Sequence, residues 1–412
     1  MKKYFLVIIA AVLIAGCTRD TVAEHYIIYT PVYSTKDAVR ANIRSSSPDG
    51  LIAPGKLVWK DNFIFLNDVD RGIHVIDISD PSHARPVAFI NIPGCMDLAV
   101  NGNYLYADCY TDLVTIDISD PLNISLKQFL PGVFPHRAYS FAADTNRVIT
   151  TWIAKDTVVS RRFDERSLGR SDVLWISATA LSSSSYAFSS PAGIGLAGST
   201  ARFALMNQHM YTVSYSDLKI FDLINAGAPA YTKTLPLSGV IETIYPFNQQ
   251  LFIGSQTGMF IYDVSKGDQP VKKGQFTHVR SCDPVIADQD FAYVTLKSGT
   301  VCGGSTNELD ILDVKSLLSP KLISTYSLTS PSGLSKDGNL LFVCDGPGLK
   351  IMNTSNLLAV STIKEFKGFE PTDVIAQKGI AVVVAKDGLH IIDYASPVQA
   401  KEISRIPLSP KR

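Results

Sequence analysis

The sequence predicts an all-β propeller, and three observations in its 412 residues predict it. A phrase returns along the chain, first as Gly72-Ile-His-Val-Ile-Asp77 and Leu113-Val-Thr-Ile-Asp117 and last as Leu389-His-Ile-Ile-Asp393. Its closing Asp or Asn falls at 77, 117, 222, 263, 313, 353 and 393, so most steps lie near 40 residues, with one of 50 and one of 105. The phrase is a continuous apolar run of strand length, which suits a strand buried on both faces. Such a period, carrying strand and not helix patterning, marks four-stranded blades around an axis.

The elements follow in chain order. Lys2-Lys3 and the apolar residues 4–14 read as a secretory signal, since eleven residues are too few to span a bilayer as a helix. The stretch ends in Leu13-Ile-Ala-Gly-Cys17, which resembles a bacterial lipobox. Residues 1–16 are therefore expected to be removed, leaving the Cys17 thiol to carry the lipid. Residues 17–50 read as a lipidated tether in which 26–33 add an edge strand or close the ring, followed by a polar part with some helix. The ring is expected over 51–408.

Its second unit shows the four strands most plainly, at 97–100, 104–107, 113–118 and 126–129, separated by Asn101-Gly102-Asn103 and Asp120-Pro121. The long step has room for a hidden unit, with two strands over 141–152 and a degenerate third over 158–163. Counting it gives eight blades, the number expected; the alternative, with that unit decayed, is seven.

These units resemble the LVIVD repeat family of bacterial surface and periplasmic proteins, through Leu113-Val-Thr-Ile-Asp117 and its six relatives. The resemblance covers roughly 51–408 and implies a β-propeller, often lipoprotein in character. It adds no catalytic residue, and unit three departs from the pattern.

Composition narrows the function classes. With 46% hydrophobic and 18% charged residues, the chain builds one large folded body. Lys+Arg and Asp+Glu are equal at 38, which argues against a nucleic-acid partner and against electrostatic attachment to anionic membranes. A carboxylate needed once for chemistry should not recur in nearly every unit, whereas one that binds backbone amides at a strand-ending turn should. The repeated Asp is therefore read as structural. His74 and His390 share one repeat position with Val, Lys, Phe and Asp, which reads as a partly exposed strand slot. No metal, cofactor or nucleophile motif is expected.

Irregularities carry more functional promise than repeats. On the face shared by loops entering first strands and loops joining strands two and three, a binding rim is expected from His136, Arg137, Trp152, Lys155, Asp283, Glu370 and Asp373. The insertion adds Arg161, Arg162, Trp175 and Tyr186, residue types enriched at binding hot spots. Register also pairs the cysteines: Cys95 with Cys109 in unit two and Cys282 with Cys302 in unit six, leaving Cys344 as a free thiol. The chain is thus expected to be a lipid-anchored module of the bacterial envelope, at the outer membrane, holding a protein or glycan partner. The alternative is an envelope enzyme acting on carbohydrate.

Overall fold

The computed structural model describes residues 21–137, 146–162, 196–199, 201–277, 284–299 and 304–410. Contacts divide the chain into two units, Met1–Thr35 with Thr145–Ser183, and Lys36–Asp144 with Ser184–Arg412.

The larger unit is a propeller of seven four-stranded antiparallel blades. Blade 1 comprises Pro54–Lys60, Phe63–Asp68, Gly72–Asp77 and Arg85–Asn91, and blade 7 ends the chain with Pro371–Gln377, Ile380–Ala385, Gly388–Asp393 and Lys401–Pro407. Each of the seven phrases is the third strand of its blade. First strands are innermost and meet the first strands of neighbouring blades. No strand is exchanged to close the ring. Blades 7 and 1 instead share an apolar cluster in which Leu57, Ile64 and Leu66 meet Ile375, Val382, Leu389 and Ile391. Similar clusters fill the seams between blades 2 and 3, 3 and 4, 5 and 6, and 6 and 7.

Local chemistry explains why the repeat holds. Each phrase-ending Asp or Asn accepts the backbone N–H two residues on: Ser79, Ser119, Ile224, Ser265, Lys315, Ser355 and Ala395, all at 2.6–2.9 Å. The side chain thereby mimics a turn of backbone, the structural role expected of it. Gly72 opens the third strand of blade 1 at φ +153, where a Cβ would sit 2.2 Å from Ile90 O. Outermost strands are half-exposed and carry lysines such as Lys127, Lys233 and Lys364, and each shifts register against the third strand. Charge and bulge both keep such an edge from pairing with another chain.

The hidden eighth unit does not exist among the described residues. Its place is taken by one strand, Arg147–Arg162, which pairs antiparallel with Thr21–Thr35 from Thr21↔Arg162 to Thr35↔Arg147. This ribbon is the described part of the smaller unit. Of the proposed strands over 141–152 and 158–163, residues 147–152 and 158–162 fall within that single strand while 141–145 and 163 lie outside the described residues, and the segment 26–33 pairs in the ribbon. The expected helix in the polar stretch is Lys36–Ala41, followed by Arg44–Ser46, which extends blade 1 outward beside Arg85–Asn91. No helix among the described residues is long and apolar enough to cross a membrane.

Candidate functional site

The ring offers two functional regions, its axis and the rim where strands one enter and strands two and three join.

The axis is filled by the protein's own chain. Leu196–Ala197 pairs with Trp59 and Val58 on the axial side of blade 1, as one further strand inside the innermost one. Gly198 then donates its N–H to Leu57 O at 3.1 Å. The N–H and hydroxyl of Ser199 both donate to Asp373 Oδ1 in blade 7, at 3.0 and 2.9 Å, while its Oγ accepts Leu334 N–H of blade 6 at 2.6 Å. Ala201 O accepts Ile244 N–H of blade 4 at 3.2 Å, and Arg202 N–H donates to Asp97 Oδ2 of blade 2 at 2.6 Å. The fit is close: a Cβ on Gly198 would lie 1.9 Å from Asp373 Oδ2 and 2.8 Å from Leu57.

Ionisable groups at the axis are shifted by burial. Desolvation raises Asp373 to about 7, against the bonds from Ser199, and its Oδ2 has no hydrogen-bond partner. Desolvation also raises Asp97 and lowers Lys56 to about 8, although the two lie 3.6 Å apart. Both directions have one cause, since the charged forms lose their hydration and regain only part of it from each other.

On the rim, a second set of carboxylates at the ends of second strands ties down the chain entering three of the seven blades. Asp68 accepts Ala53 N–H at 2.7 Å, Asp108 accepts Met96 and Asp97 N–H at 2.7 and 2.9 Å, and Asp345 accepts Thr329 and Ser330 N–H at 2.8 Å each. Each is paired with a cation: Asp68 with Arg71, Asp108 with Arg137, and Asp345 with Lys350. For Asp68 burial pushes the carboxyl up, but the bonds from His74 and Ala53 and the charge of Arg71 bring it below its usual range. Arg137 also donates to Gly94 O at 2.7 Å and reaches Asp70 at 3.5 Å. From the helix Lys36–Ala41, Lys36 reaches Asp112 at 3.0 Å and Arg40 at 3.5 Å.

The expected site residues therefore disperse. Arg137 and Glu370 lie on the rim, Glu370 paired with Lys386. Asp373 is buried in the axis because the third residue of an innermost strand points inward. Trp152 and Lys155 belong to the ribbon, opposite Pro31 and Ile28, because the hidden blade that was to carry them is absent. His136 lies in a short 3-10 turn over Pro135–Arg137, and the backbones of Arg161 and Arg162 lie opposite Val22 and Thr21. Cys17, Trp175, Tyr186, Cys282, Asp283 and Cys302 lie outside the described residues.

The expected Cys95–Cys109 bridge is not formed: both are buried thiols, directed to Asp97 O at 3.7 Å and Pro93 O at 3.2 Å. Burial raises Cys95 well above its ordinary value and pushes Cys109 up to about 12. Cys344 is a free buried thiol, as expected. His74 and His390 are buried, not partly exposed; His74 bonds Asp68 at 3.1 Å, and His390 bonds Glu402 and Asp387 at 2.9 and 3.0 Å. Sequence reasoning missed the axial strand and the rim carboxylates. The recurrence of Asp at 68, 108 and 345 is the one signal that could have found them.

Fold and site define a seven-bladed β-propeller with a plugged axis. Residues 56–87 and 94–129, in its first two blades, match the family model described as the LVIVD repeat. No curated protein matches the chain. Among solved structures it is similar to a Lactobacillus plantarum protein, at 12% identity over 87% of this chain and 97% of that one, with a TM-score of 0.54. The periplasmic gluconolactonase PpgL of Pseudomonas aeruginosa is similar at 13% over 86% and 96%, TM-score 0.54. Saccharomyces cerevisiae Sqt1 is similar at 8% over 92% and 88%, TM-score 0.51. At these identities the likeness is one of fold.

Proposed function

We propose that this protein is a binding or scaffolding propeller of the bacterial envelope, anchored through lipid on Cys17, which presents its rim to a protein or glycan partner. The observation that carries the reading is the plugged axis. A propeller that worked on a substrate at its centre would keep that space open to solvent, whereas here residues 196–199 and 201–202 bond blades 1, 2, 4, 6 and 7 there. The rim carries exposed ions, among them the Glu370–Lys386 pair and Asp49, which pairs with the Arg71 that also holds Asp68. Exposed ion pairs contribute little to stability, so they are free to be specified by a partner.

The alternative, an envelope enzyme acting on carbohydrate, draws on Asp97 and Asp373, two buried carboxylates raised above their usual range. Raised carboxylates suit acid–base work. These two, however, are engaged by Arg202 N–H and Lys56 and by Ser199.

The test is affinity capture of the lipidated protein from its own membranes, with mass spectrometry of what accompanies it. Replacing Glu370, Lys386 and Asp49 together by Ala should weaken that capture and leave the melting temperature nearly unchanged. Replacing Lys60, Asp61 and Lys378 on the opposite face should leave capture intact; equal loss from both sets overturns the rim reading.

A further inference from the structure

The ribbon presents an anomaly that the ring does not. Antiparallel partners share a face, so one face carries Ile27 with Asp156, Tyr29 with Ala154 and Pro31 with Trp152, and the other Ile28 with Lys155, Thr30 with Ile153 and Val32 with Thr151. Large apolar residues are exposed on both: Ile27 at 60%, Ile153 at 58%, Ile28 at 49% and Tyr29 at 45%. From Ile27 to Thr35 the strand has no charged residue at all. A two-stranded ribbon is at best marginally stable alone in water, so this one needs an apolar environment on both sides.

The chain outside the described residues says what that environment is. Thr21, where the ribbon starts, is four positions after Cys17, so at most about 14 Å of extended chain separates them. We infer that the ribbon lies in the headgroup layer of the membrane that anchors Cys17, its apolar side chains reaching the acyl boundary. This rests on the anchoring proposed above. A flat protein surface would cover one face of the ribbon and leave the other in water, whereas the interfacial layer reaches both. Full insertion is excluded by chemistry, because the outer edges of both strands carry N–H and C=O groups that hydrocarbon cannot satisfy. Tyr29 and Tyr33, both exposed, are of the type that favours the interface. Lipid and ribbon then act as two signals for one membrane.

The experiment uses the full mature chain with Cys282 and Cys302 replaced by Ser, and an environment-sensitive fluorophore on Ile27→Cys or, as control, on Leu318→Cys in the ring. Mass spectrometry of the N-terminus first decides whether Cys17 is acylated, and so judges the anchor separately. In vesicles of phosphatidylethanolamine and phosphatidylglycerol, the label at 27 should brighten and shift to the blue, and that at 318 should not. No change at 27 in acylated, vesicle-bound protein overturns the inference. A change at 27 that needs no vesicles and grows with protein concentration also overturns it, and assigns the ribbon to a second copy of this chain. If Cys17 carries no lipid, flotation of the unlipidated chain decides. Vesicle binding should then fall at least tenfold in the Ile27→Asp, Ile153→Asp variant with the denaturation midpoint of the ring unchanged, and an absence of any vesicle binding overturns the inference.

Discussion

The ring and the ribbon are both antiparallel sheet, yet they solve the burial problem in opposite ways. In the ring each third strand is covered on both faces by neighbouring blades: Ile73, Leu349, Leu389 and Ile391 are fully buried. The ribbon has the same kind of residue in the same kind of strand, but beyond Val148 and Ile149, which are buried, it leaves Ile27, Ile28 and Ile153 exposed. Strand content alone therefore says nothing about stability; the sheet needs a second layer, which the ring supplies from its own repeats.

That contrast can be broken most forcefully by paired truncations. Ile391→Ala, in the seam between blades 7 and 1, should cost roughly 2–5 kcal/mol, whereas Ile153→Ala should stay within about 0.5 kcal/mol. Urea denaturation monitored by circular dichroism compares them, and equal losses would mean the ribbon shares the cooperative core. A smaller effect is expected at the axis, where Gly198→Ala forces a methyl against Asp373 and Leu57 and should cost about 2 kcal/mol by overpacking.

The pH response sharpens the comparison further, since the ribbon has no buried titrating group among its described residues. Asp373 titrates near 7 in the folded ring and near 3.8 when unfolded, so the folded state binds its proton more tightly. Stability from this group is present at the acid end of that window and falls as pH rises towards 7. Asp373→Asn should flatten that fall, read as the difference in denaturation midpoint between pH 5 and pH 7.5. A modest effect is expected at a repeated turn: Asn353→Ala loses the bond from Ser355 N–H and should cost about 1 kcal/mol, while Asn353→Asp should be close to neutral.

What the sequence revealed divides along the same line. The propeller, the third strands and the turn role of the closing Asp were legible because each is a local pattern repeated seven times. The pairing of Thr21–Thr35 with Arg147–Arg162 was not, because it joins segments more than a hundred residues apart and neither carries a register signal. The apolar run over 148–153 has the same composition as a blade strand, and this turned one long strand into an imagined eighth unit. The rim assignments failed for a related reason: Trp152 and Lys155 were placed by counting blades, so one false blade displaced both. Arg137 and Glu370 lie next to well-repeated strands, and their placement survived.

Residues 196–202 have a consequence for how the ring can be taken apart. In an open array of repeats, stability is a sum over nearest neighbours, and units can be trimmed from either end at a predictable cost. Here one short segment, entering between blades 2 and 3, is bonded to blade 1 and to blades 6 and 7 at once. It behaves as a keystone: removing the last blade takes away Asp373 and unseats Ser199, and with it a partner of Leu334 two blades from the chain's first. The ring should accordingly unfold as one body, without the graded loss expected of a stack of independent repeats.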